Sequence, residues 1–62
     1  MKVKVYLKNK KEPEVFESNR VDVLDYIREG IEYKQIRYFK NGFSKSVYIE
    51  RNAIKTIVKK SK

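Results

Sequence analysis

Val21-Asp22-Val23-Leu24-Asp25-Tyr26-Ile27-Arg28-Glu29-Gly30 decides the fold class, because it fits two different periods. Val21, Leu24 and Ile27 recur at helical spacing. Ser18 and Asn19 precede them and can cap a helix, since their side-chain oxygens accept from the free N–H groups of a first turn. Asp22 and Asp25 suit the positive end of a helix dipole, Arg28 suits the negative end, and Gly30 suits a helix stop. The expected element is a short helix over about Arg20 to Glu29. Val21 and Val23 also alternate, so a strand over Val21 to Tyr26 is the rival. A helix this short must pack on a sheet to persist.

Downstream, Arg37-Tyr38-Phe39-Lys40-Asn41-Gly42-Phe43-Ser44-Lys45-Ser46-Val47-Tyr48-Ile49 predicts a β-hairpin. Asn41-Gly42 is the strongest short-range hairpin signal, because both central residues of a type I′ turn need positive φ. A two-residue loop sets Lys40 opposite Phe43 and Tyr38 opposite Lys45, where a cation–π contact could form. Before the turn, Ile36 and Tyr38 share one face; Tyr33, Gln35, Arg37 and Phe39 share the other. Both faces carry aromatics, so the pattern leaves the buried one undecided. After the turn, Val47 and Ile49 fit the core face, and Ser46, Tyr48 and Glu50 point outward.

Upstream, Met1 to Leu7 alternates with period two. Val3, Val5 and Leu7 form a core set; Lys2, Lys4, Tyr6 and Lys8 form the opposite, exposed set. Asn9 to Pro13 is a turn, and Glu14 to Glu17 a short strand that starts at a sheet edge, since Pro13 cannot donate to a central ladder. Beyond the hairpin, Glu50 to Ala53 breaks the alternation as a tight turn. Ile54 to Val58 is a last strand, and Lys59 to Lys62 form a basic, frayed tail. The order is β-β-α-β-β-β: a β-rich α+β domain spanning residues 1–62, with five antiparallel strands as a sheet under one short helix or curled into a small barrel.

Sixty-two residues allow one small domain with a stability of only a few kcal/mol. No cysteine or histidine is present, which removes disulfides, thiolate metal sites and the commonest general base. No Gly-rich phosphate loop exists. Glu12 and Glu14 flank Pro13 as turn carboxylates, and Asp22, Asp25 and Glu29 would share a helix face, as solvated acids rather than a cation site. The expectation is a non-enzyme without metal or cofactor. No apolar run reaches membrane-span length, and the N-terminus lacks a signal h-region, so a cytoplasmic protein is expected.

The net charge of +8 is segregated: residues 1–11 carry +5, residues 12–32 carry −5 and residues 33–62 carry +8. Such separation steers an anionic partner, nucleic acid above all; the plainer reading is a lysine-rich surface that keeps β edges soluble. Cations interleave with aromatics, which is what phosphate neutralisation combined with base stacking requires. The candidate nucleic-acid contacts are Lys2, Lys4, Tyr6, Lys8, Arg37, Lys40, Phe43, Lys45, Tyr48 and Arg51, with Tyr6, Tyr48 and Phe43 expected to be exposed. Binding through such a set is non-specific and does not separate DNA from RNA. The alternative is a protein-interaction module, an inhibitor or accessory factor of a host protein, acting through Glu12 to Glu32 or an exposed strand edge. Assembly of copies through a bare edge is a third expectation.

Two segments carry a resemblance. Ala53-Ile54-Lys55-Thr56-Ile57-Val58 resembles the closing motif of Sm-like (Hfq-like) proteins, and Val3-Lys4-Val5-Tyr6-Leu7-Lys8-Asn9 resembles the strand and turn that open the Sm core. The resemblance implies a small SH3/Sm-like barrel that binds RNA. Arg51-Asn52 stands where that family has an RNA-contacting Lys-His pair, and Lys10 where it has glycine. The segment between the two motifs is longer than the family's. In style the chain also resembles the short lysine-rich proteins of phages and mobile elements.

Overall fold

The structure, a computed structural model, describes residues 1–60. Six strands occur in chain order: β1 (Lys2–Leu7), β2 (Glu14–Glu17), β3 (Val21–Arg28), β4 (Ile31–Lys40), β5 (Phe43–Glu50) and β6 (Ile54–Lys60). A single 3-10 turn, Arg51–Ala53, separates β5 from β6. The strands form two three-stranded antiparallel sheets, ordered β2-β1-β6 and β3-β4-β5.

This corrects the expected β-β-α-β-β-β architecture. Among the described residues there is no α-helix, the strands number six rather than five, and the two sheets do not close into a barrel. The segment Arg20 to Glu29 is the source of the difference. Val21 is 2% exposed, but Leu24 and Ile27, which should share its stripe, are 39% and 66% exposed. Period two wins because β3 finds a partner along its whole length: Val21 lies opposite Tyr38, Val23 opposite Ile36 and Arg28 opposite Ile31. Gly30 does not stop a helix. With Glu29 it makes a second two-residue hairpin loop, in which Glu29 has φ 52° and Gly30 φ 78°, the signs a type I′ turn requires. Asp22, Asp25 and Glu29 therefore share no face: Asp22 is outward, Asp25 is on the core-side register and Glu29 is in the loop.

The second hairpin forms as expected. Asn41 (φ 54°) and Gly42 (φ 80°) carry the turn, and Lys40 faces Phe43 and Tyr38 faces Lys45 without a bulge. The Tyr38 ring packs on Phe16, with centroids 5.3 Å apart.

The core lies between the sheets. Val3, Val5 and Phe16 come from the first, Val21 and Ile36 from the second, and Leu7, Val23, Tyr38, Val47, Ile49, Ile54 and Ile57 pack around them. The molecule is a slab of 32 × 26 × 16 Å, as thin as two packed sheets demand. The sheets meet at two corners. At one, Ser18 spans the gap between β2 and β3: its N–H donates to Met1 O at 3.1 Å, its carbonyl accepts from the Met1 amine at 2.9 Å, and its hydroxyl accepts from the Phe39 N–H at 3.3 Å. At the other, the Lys8 N–H donates to Ala53 O at 3.0 Å. The expected basic tail begins inside β6, since Lys59 and Lys60 pair with Val3 and Lys2; Ser61 and Lys62 lie outside the described residues.

Candidate nucleic-acid interface

The outer face of the β3-β4-β5 sheet follows from register alone. Side chains alternate along a strand, and directly opposed residues share a face. Along β4 that face reads Ile31, Tyr33, Gln35, Arg37 and Phe39; β3 adds Asp22, Leu24, Tyr26 and Arg28, and β5 adds Ser44, Ser46, Tyr48 and Glu50. Tyr26 stands opposite Tyr33, with ring centroids 6.1 Å apart, and reaches diagonally over β4 to Tyr48 at 4.9 Å. The rings tilt at 52° and 53°, with centroids inside the roughly 4.5–7 Å over which aromatic pairs attract. Arg28 joins the three tyrosines around a shallow recess. Phe39 and Tyr48 are 46% and 50% exposed, so flat ring surface faces outward.

Charge on this face is partly internal. Asp22 accepts from Arg20 at 3.2 Å and lies 3.5 Å from Arg37. The Gln35 amide donates to the Ser46 hydroxyl at 3.3 Å. On the opposite, core-side register the sheet runs past the core, and two ion pairs occupy that end: Asp25 with Lys34, which face each other across β3 and β4, and Arg51 with Glu32 at 2.7 Å. Lys34, by its hydrogen bond and then its charge, holds the Asp25 carboxyl below its ordinary value of 3.8, and Arg51 adds to the effect.

The ten candidate contacts do not converge. Lys2, Lys4 and Tyr6 lie on the outer face of the first sheet, with Val15, Glu17, Thr56, Val58 and Lys60 beside them. Lys8 follows β1 at the Ala53 corner. Arg37 and Tyr48 lie on the outer face of the second sheet. Lys40, Phe43 and Lys45 lie at the tip of the β4–β5 hairpin on the core-side register, and Phe43 is 70% exposed. Arg51 is in the 3-10 turn, paired with Glu32. Because the two sheets pack inner face to inner face around the core, the lysines of the first sheet and the arginine and aromatic side chains of the second point in opposite directions.

Sequence reasoning missed Tyr26, Tyr33, Phe39 and Arg28 as site residues. The signal was present in the turns: two-residue loops at Glu29-Gly30 and Asn41-Gly42 fix which residues of three successive strands share a face. Reading Gly30 as a helix stop concealed it.

Among the described residues, no group of three or more acidic side chains is arranged to hold a metal ion, and no helix is long and apolar enough to cross a membrane. In comparisons with known proteins, no family model, no curated protein and no solved structure matches the chain. The resemblance to Sm-like proteins rests on Val3–Asn9 and Ala53–Val58, segments that contain most of β1 and β6, which pair side by side.

Proposed function

We propose that the protein binds single-stranded nucleic acid, without sequence preference, through the outer face of its β3-β4-β5 sheet. The observation that carries the reading is the gathering of Tyr26, Tyr33, Tyr48 and Phe39 on one exposed sheet face with Arg28 and Arg37, in a chain of net charge +8. Bases stack on exposed rings whatever their sequence, with about 1–3 kcal/mol per base. Arginine neutralises phosphate and also stacks on rings and bases. The cations elsewhere on the molecule supply long-range attraction.

Fluorescence anisotropy of labelled oligonucleotides of about 12 nucleotides, which suits one small β domain, tests the reading. Affinity should fall steeply with salt, and Tyr48→Ala with Tyr33→Ala should weaken it by about tenfold or more at unchanged salt slope. No binding at low salt, or binding indifferent to both substitutions, overturns it.

A protein-interaction surface is the second reading, favoured by the local balance of Asp22 and Glu50 against Arg28 and Arg37 beside exposed Leu24 and Ile31. Aromatic and arginine side chains are also what protein interfaces concentrate. The acidic segment is a poor handle for a basic partner, since Glu14, Asp22, Asp25 and Glu32 are each already paired with a cation.

A further inference from the structure

We propose that the free edge of β5 pairs antiparallel with β5 of a second copy, about a two-fold axis at Ser46. The hairpin fixes which backbone groups are free. A two-residue loop makes Lys40 and Phe43 a hydrogen-bonded pair, and such pairs alternate along an antiparallel ladder. Phe43, Lys45, Val47 and Ile49 therefore spend their N–H and C=O groups on β4, while those of Ser44, Ser46 and Tyr48 point away. Among the described residues, no strand pairs with that side of β5.

The other edges carry the devices by which proteins block such pairing. β2 has four residues and follows Pro13. β6 has an irregular register at Tyr6 and Leu7 and bears Lys55, Lys59 and Lys60. β3 carries three charges, Asp22, Asp25 and Arg28, in its eight residues, and charge along an edge discourages pairing. β5 runs eight residues without proline or bulge, and Lys45 is its one charge before Glu50.

A two-fold axis at Ser46 is also self-complementary. It sets Phe43 opposite Ile49 of the second copy, Lys45 opposite its Val47 and Ser44 opposite its Tyr48. Each pair joins residues of one face, as antiparallel register requires. Phe43, the most exposed of the large hydrophobic side chains among the described residues at 70%, thereby gains an apolar neighbour, and about six backbone hydrogen bonds form across the seam. The product is a six-stranded sheet with both tyrosine clusters on one side and Tyr48 of each copy near the seam. The doubled binding face rests on the nucleic-acid reading; the pairing does not.

The pairing itself is tested on the full chain without nucleic acid. Because the chain has no cysteine, Ser46→Cys introduces one thiol that would meet its own copy across the axis. Mild oxidation at tens of micromolar should give a disulfide-linked dimer with Ser46→Cys and little with Ser44→Cys or Thr56→Cys. Sedimentation of the unmodified protein should show a concentration-dependent dimer. Ser46→Pro removes an N–H that β4 does not use, so it should keep the strand circular-dichroism spectrum and raise the dimer dissociation constant by about tenfold or more. A monomer mass throughout, equal cross-linking at all three cysteines, or a dimer indifferent to Ser46→Pro in a folded protein overturns the proposal. Loss of oligonucleotide binding in Tyr48→Ala with the dimer intact, or the reverse in Ser46→Pro, separates this pairing from the binding reading.

Discussion

Glu29 holds a backbone conformation that its side chain disfavours. At φ 52° a residue with a Cβ meets its own carbonyl, a cost of roughly 1–2 kcal/mol that Asn reduces and Gly avoids. Glu29→Asn, which turns the loop into Asn-Gly, should raise the urea midpoint by an amount equivalent to about 0.5–1 kcal/mol. Gly42→Ala should lower stability by about 1 kcal/mol through the same effect; nothing lies within 4 Å of the position a Cβ would take, so conformation and not crowding is responsible. Asp25 makes a pH prediction. Its carboxyl is held below 3.8 when folded, chiefly by Lys34, so the folded state binds the proton less readily than the unfolded chain. The contribution is complete above the unfolded value and disappears as pH falls through the folded one. Acid titration of stability should flatten in Asp25→Asn below about pH 4, and added salt should shrink the difference because the pair is exposed.

At the scale of the element, β3 shows what sequence could and could not yield. Five of the six strands and the Lys40–Phe43 register follow from alternation and from Asn41-Gly42, both local signals. The choice for Val21 to Arg28 was not local, since Val21, Leu24 and Ile27 satisfy one period and Val21 and Val23 the other. Pairing with β4 decided it, and that energy comes from residues beyond the segment itself. Val23 and Leu24 separate the two readings experimentally. Val23 packs against the core and faces Ile36, so Val23→Ala should cost roughly 1–2 kcal/mol. Leu24 is on the outer face, and Leu24→Ala should stay within about 0.5 kcal/mol. Chemical denaturation of the two variants measures both. The tyrosine face was hidden by the same choice: Tyr26 on a helix could not be set beside Tyr33 and Tyr48.

At the scale of the molecule, the chain's positive charge is divided between two faces that cannot touch one short ligand together. The tyrosine face has few cations, and among the described residues the lysine face has Tyr6 as its only aromatic. If nucleic acid lies on the tyrosine face, Arg28→Gln with Arg37→Gln should flatten the salt dependence by about 0.7 for each phosphate no longer neutralised. Lys2→Gln with Lys4→Gln should slow association at low salt and leave the dissociation rate nearly unchanged, because distant charges steer without contacting phosphates. Stopped-flow and equilibrium titrations across salt separate the two.

The first sheet joins β1 to β6, strands about 47 residues apart, while the second is a meander of successive hairpins. A ribosome adding roughly 5–20 residues per second completes β6 some 2–10 seconds after β1 has been made. Through that interval the meander can zip up, but one side of β1 waits without the strand that completes its ladder. Lys2 and Lys4, interleaved with Val3 and Val5, are then the chain's own chaperones, keeping an unfinished apolar strand in solution until its mate is synthesised.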